Sequence, residues 1–128
     1  MKRMLGFSMM ALAFAFPAMA QHSHAGHGAA AKPVTLTGEV LDMTCYMIHP
    51  DNATGMGHAK CAESCLAKGM SVGFLADDGT VYMVLGSNHE SPNEKVKGLA
   101  GKKSTITGVV HEQKGMKAIE LQSIAEAK

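Results

Sequence analysis

Five potential metal ligands lie between positions 45 and 65, in the segment TCYMIHPDNATGMGHAKCAESCLAKG. They are Cys45, His49, His58, Cys61 and Cys65. Thiolates and imidazoles bind Zn²⁺ in proteins, and thiolates also suit Cu(I). On a helix, the last three residues would share one stripe, because they stand at i, i+3 and i+7. We therefore predict a zinc or copper site formed by the three cysteines and His58, with His49 as the replacement if His58 points away.

A disulfide is the main alternative use of the cysteines. Cys45 could pair with Cys61 or with Cys65, which would staple this segment to the rest of the domain and leave one thiol free. A bond between Cys61 and Cys65 is disfavoured, because Cβ atoms four residues apart on a helix are about 5 to 6 Å apart and a disulfide prefers about 3.8 Å. Inert buried cysteines are a further alternative.

Each use of the cysteines implies a different class of protein. The disulfide would make the chain a stapled binding module for an envelope peptide, glycan or protein partner. A thiol enzyme would need a cysteine with a lowered pKa and an orienting third group. The sequence identifies no such group, so we assign no catalytic residue.

The first 20 residues have the pattern of a secretory signal peptide. Two basic residues are followed by an apolar stretch and by an Ala-Met-Ala end that fits a cleavage site. We predict cleavage after Ala20 and a soluble periplasmic or secreted protein. Cleavage would leave 108 residues and change the formal net charge from +1 to −1, while every cysteine and histidine would remain.

Residues 21–33, QHSHAGHGAAAKP, are rich in Ala, Gly and His and have no hydrophobic period. Such a segment cannot bury enough apolar surface to offset the entropy of ordering, so we predict a disordered leader. Its histidines, His22, His24 and His27, could form a second metal site. Together with a free N-terminal amine and backbone amides they would favour Cu(II).

Composition excludes two other classes of function. The chain after residue 20 carries nearly balanced charge and only three aromatic residues, Tyr46, Phe74 and Tyr82. Nucleic-acid binding needs a surplus of Lys and Arg, and single strands also need stacking platforms. No stretch after residue 20 has the roughly 18 apolar residues that a membrane span requires.

The remaining sequence predicts a mainly β domain over 34–128. Alternating apolar residues and turn signals predict five strands and two helices. The strands are expected at 34–43, 70–76, 80–85, 104–112 and 116–124, and the helices at 56–68 and 91–101. The second and third strands form a hairpin through Asp77-Asp78-Gly79, because Asp-Gly turns supply the positive φ that tight hairpins need.

The first and fourth strands share a Thr-x-Thr-Gly-x-Val pattern, in which Gly38 and Gly108 hold equivalent places. Glycine inside a strand often marks a sharp bend, as a small barrel requires. Five strands with one short helix between strands three and four correspond to an oligonucleotide/oligosaccharide-binding (OB) barrel. The layout resembles small exported bacterial OB-fold proteins over 34–43 and 70–124, which implies a five-stranded barrel and a periplasmic setting. The helical Cys/His-rich insertion, 44–69, between strands one and two departs from that pattern.

Overall fold

The computed structural model describes residues 31–128. The predicted signal peptide and the leader histidines His22, His24 and His27 lie outside the described residues. Residues 31–33 have no regular secondary structure and are exposed.

Five strands form one sheet that closes on itself in the order β1, β2, β3, β5, β4. The strands are β1 (Val34–Asp42), β2 (Val72–Ala76), β3 (Val81–Leu85), β4 (Lys103–Gln113) and β5 (Met116–Glu126). β1 pairs with both β2 and β4, which closes the ring, and β3 runs parallel to β5. The other neighbours are antiparallel. The predicted mainly β, five-stranded architecture is confirmed at this level.

The two matched glycines lie where neighbouring strands approach closely. A Cβ added to Gly38 would collide with the carbonyl oxygen of Leu75 and lie 2.8 Å from the Cα of Ala76. A Cβ on Gly108 would collide with the carbonyl oxygen of Glu120, next to a register shift in the β4–β5 ladder. Only glycine fits such positions, so the two glycines allow the close approach of neighbouring strands in the closed sheet.

The core fills the inside of the closed sheet. Phe74, Ile106, Ile119 and Leu121 have no exposed surface, and they pack in one cluster with residues from every strand. Leu66 of the insertion joins the same cluster and is 3% exposed. Burial of a leucine side chain is worth about 1.5–3 kcal/mol, so the insertion packs as part of the domain core.

The chain between β3 and β4 differs from the prediction of one short helix. It makes two short 3-10 segments instead, at Ser87–His89, where Asn88 has a positive φ, and at Asn93–Val96. Gly98 and Gly101 then adopt φ angles of 78° and 74°, in the left-handed region that ends a helix. Ala100, between them, forms a bridge with β1. This return to the sheet leaves no room for a longer α-helix.

The insertion between β1 and β2 contains two α-helices. They are α1 (Met43–Ile48) and α2 (Ala59–Ala67), separated by a 3-10 turn at Pro50–Asn52. α2 is shorter than the predicted helix over 56–68. No helix among residues 31–128 is long and apolar enough to cross a membrane.

Candidate metal site

Asp42 positions the first cysteine. It is the last residue of β1 and has an extended backbone, with φ −82° and ψ 114°. Its carboxylate accepts hydrogen bonds from the backbone N–H groups of Thr44, at 3.0 Å, and Cys45, at 3.4 Å. An N-cap carboxylate satisfies N–H groups that have no partner within the helix. The cap starts α1 directly at the strand end and places Cys45 in its first turn.

α2 positions the other two cysteines. His58 is its N-cap, and the His58 carbonyl accepts the first helical hydrogen bond, from Ala62 N–H at 3.0 Å. Ala62 and Leu66 are buried on the side that faces the core. Cys61 directly precedes Ala62, and Cys65 directly precedes Leu66. The two cysteines are four residues apart, so they share one side of the helix, next to the buried side.

A glycine cap ends α2 four residues after Cys65. Gly69 has φ 85°, its N–H donates to the Leu66 carbonyl, and Met70 N–H donates to the Cys65 carbonyl. This pair of bonds is a Schellman motif. The Asn93 side-chain amide donates to the Leu66 and Met70 carbonyls, at 2.8 Å each. The end of the helix that carries Cys65 is therefore fixed to the segment before β4.

The three thiols meet at one place. The Sγ atoms of Cys45, Cys61 and Cys65 all lie within 4.8 Å of one another, and none of them forms a disulfide. Within residues 31–128, no other group of three His, Cys, Asp or Glu ligand atoms is as compact. Thiolates around a tetrahedral ion with bonds of about 2.3 Å are about 3.8 Å apart. Contraction by at most about 1 Å would therefore bring the sulfurs to metal-binding distances.

The Asp42 carboxylate controls the protonation of two of the thiols. Burial acts to raise the pKa of Asp42. Hydrogen bonds to its carboxylate outweigh burial and lower this pKa below 3.8; the donors are the Cys45 thiol, Thr44 N–H, the Cys65 thiol and Cys45 N–H. The hydrogen bond to Asp42, followed by burial and by the Asp42 charge, raises the pKa of Cys45 from 9.0 to about 12. The pKa of Cys65 is also raised, chiefly by its hydrogen bond to Asp42.

These shifts bear on the chemistry that the thiols can perform. A working cysteine nucleophile has a lowered pKa, because the thiolate is the reactive form. Cys45 and Cys65 have the opposite shift. A metal ion, by contrast, displaces thiol protons when it binds, so a thiol with a raised pKa can still become a ligand.

The two candidate histidines differ in their surroundings. His58 is partly buried, and its ring Nε2 is a buried atom without a hydrogen-bond partner. His49 is exposed, and its backbone N–H donates to the Cys45 carbonyl at 2.7 Å, which ends α1. Neither ring belongs to the compact group formed by the three thiols. A buried ring nitrogen without a partner is costly, and a metal ion would provide one.

Sequence reasoning missed Asp42. Asp42 has no exposed surface. Its carboxylate caps α1 and lies beside the thiols of Cys45 and Cys65. A signal for it was present, because an aspartate at the end of a strand, three residues before Cys45, fits the spacing of a helix N-cap.

Comparisons with protein-family models, curated proteins and solved structures find no match to this chain. The function of this protein is therefore inferred from the arrangement of its own residues.

Proposed function

We propose that this protein binds a transition-metal ion, zinc or copper, through Cys45, Cys61 and Cys65, with His58 as the fourth ligand. The observation that carries the proposal is the group of three unpaired thiols, whose sulfur atoms lie within 4.8 Å of one another. Three thiolates and one imidazole are a known tetrahedral ligand set for Zn²⁺, and the thiolates alone suit Cu(I).

The orphaned Nε2 of His58 supports its choice as the fourth ligand over His49. His58 is also the N-cap of the helix that carries Cys61 and Cys65, so one helix would supply three of the four ligands. His49 remains the replacement. It follows α1 directly and is exposed.

We further propose an OB-like barrel as the scaffold and the periplasm as the compartment. The five-stranded ring, with β1 paired to both β2 and β4, supports the first proposal. The signal-peptide pattern of residues 1–20 supports the second. Histidines 22, 24 and 27 would be an accessory Cu(II) site in the leader, and an envelope protein could be the source or the acceptor of the ion.

Metal analysis combined with thiol counting tests the proposal. Protein purified from the periplasm is expected to hold one zinc or copper ion per chain, and its three thiols should react with a thiol reagent only after a chelator removes the ion. A protein without metal, in which two cysteines react only after reduction, would instead be the disulfide-stapled binding module.

A matched pair of variants tests the fourth ligand. His58→Ala should weaken zinc binding by at least about 10-fold, because even the loss of a partner behind a ligand costs this much. His49→Ala should leave the affinity within twofold. The reverse result would transfer the role to His49 and leave the three thiols as ligands.

Affinity should also depend on pH. The ion must displace the protons of Cys45 and Cys65, whose pKa values are raised, so apparent zinc affinity should increase as the pH is raised from 6 to 8. An affinity that does not change over this range would mean that these thiols are not ligands.

A further inference from the structure

The three thiols of the cluster are held differently. Cys45 and Cys65 are partly buried, and the buried carboxylate of Asp42 lies beside both thiols. Cys61 is exposed. One edge of the cluster therefore faces solvent, while the other two cysteines are less exposed.

The insertion is attached to the sheet by contacts that do not use the thiols. The Glu63 carboxylate accepts a hydrogen bond from Ala100 N–H at 3.0 Å, and the Glu39 carboxylate of β1 accepts one from Gly55 N–H. The Leu66 side chain is buried in the core, and Asn93 binds the end of α2. A metal ion that served as a structural clip would duplicate this attachment.

We infer, on the basis of the proposed function, that the bound ion is an exchangeable cargo that enters and leaves through Cys61. An incoming donor approaches the ion on the exposed side and forms a bond to it, and the bond between the ion and the Cys61 sulfur breaks. The Cys61 thiolate takes a proton from solvent. Cys45, Cys65 and His58 then release the ion, and the two thiolates take up protons from solvent beside Asp42. The oxidation state of the ion does not change.

Release kinetics distinguish this route from a closed structural site. The full protein is loaded with Zn²⁺ and mixed in a stopped-flow instrument with increasing concentrations of 4-(2-pyridylazo)resorcinol, a coloured chelator. Attack at an open edge predicts a release rate that increases linearly with chelator concentration. A structural clip would release zinc at a rate that the opening of the protein sets, and this rate would not depend on the chelator.

Two exposed positions of α2 provide a matched pair. Ser64 is three residues after Cys61 and on the same side of the helix, whereas Ala67 is six residues after it and on another side. Ser64→Trp should shield the Cys61 edge and slow release several-fold at a given chelator concentration. Ala67→Trp should leave the rate within twofold. Equal rates in the two variants would overturn the route through Cys61.

Hydrogen exchange gives an independent readout. In the reduced, metal-free protein the amides of α2 should keep their protection, because the attachment does not depend on the ion. Loss of protection throughout α2 would show a structural clip and overturn the inference. Protein that binds neither zinc nor Cu(I) would overturn the proposed function itself, whereas bound zinc with chelator-independent release would overturn this inference alone.

Discussion

The structure predicts that the Asp42 carboxylate suppresses the reactivity of the Cys45 thiol. The pKa of Cys45 is raised from 9.0 to about 12. At pH 8, its thiolate fraction would be about one in 10,000, compared with about one in 11 for an unperturbed thiol, a decrease of about 900-fold. A more basic thiolate is also more nucleophilic, by about 20-fold over this pKa difference. The net prediction is reaction with a disulfide reagent about 40-fold slower than normal.

Asp42→Asn should remove most of this suppression. An amide oxygen can still cap α1, but it carries no charge and accepts a weaker hydrogen bond from the thiol. The measurement uses chains in which Cys61→Ser and Cys65→Ser leave Cys45 as the only thiol. Its reaction with 5,5′-dithiobis(2-nitrobenzoate) at pH 8 should become up to about 40-fold faster when Asp42→Asn is added.

Asp51→Asn is the matched control, because Asp51 is an exposed aspartate of the same insertion and the substitution changes the net charge equally. It should change the rate by less than twofold. Circular dichroism verifies that each chain keeps its helices. A normal rate for Cys45 before substitution, or equal effects of Asp42→Asn and Asp51→Asn, would refute the role of the Asp42 hydrogen bond.

Other predictions concern the scaffold. Leu66→Ala should lower the free energy of unfolding by about 2–5 kcal/mol in urea titrations, because the side chain lies in the core, and a loss below 1 kcal/mol would mean that α2 is not docked. Gly108→Ala should prevent folding or strongly destabilise the fold, because its Cβ would collide with the Glu120 carbonyl. Gly57→Ala should be tolerated, because its Cβ would meet no atom within 4 Å. Similar melting temperatures for the two variants would contradict the close strand approach. Asp42 and Asp77 have pKa values lowered below 3.8, so the unfolded state binds more protons than the folded state in acid. Stability should therefore fall as the pH drops below about 3.8, and a urea midpoint that does not change there would contradict these shifts.

Local patterns predicted most of the sheet. Period-two alternation located all five strands to within a few residues, and the turn at Asp77-Asp78-Gly79 was readable because Gly79 needs a positive φ, observed at 84°. The equivalent positions of Gly38 and Gly108 indicated curvature, since a Cβ at either one would meet a neighbouring strand.

Tertiary contacts decided the features that local patterns misjudged. The chain after Ser91 has a good helix-start signature, but the bridge between Ala100 and β1 and the left-handed Gly98 limit it to a 3-10 turn. α2 begins three residues later than predicted, because Met56 and Gly57 belong to the turn before it.

The candidate site was partly readable from the sequence. Helical spacing placed Cys61 and Cys65 side by side, but the meeting with Cys45 depends on the direction that α1 takes after the end of β1. That direction follows from the cap at Asp42 and from the hydrogen bond between Met43 N–H and the Ser71 carbonyl, which joins residues 28 positions apart. No local pattern encodes such a contact.

X-ray absorption at the metal edge identifies the ligands of the bound ion. In protein reconstituted with one Zn²⁺ per chain, we predict a first shell of three sulfurs at about 2.3 Å and one nitrogen at about 2.0 Å. Cys45→Ser, Cys61→Ser and Cys65→Ser should each replace one sulfur by a lighter atom or abolish binding. A first shell of nitrogen and oxygen alone, which none of the three substitutions changes, would contradict a metal site built on these cysteines.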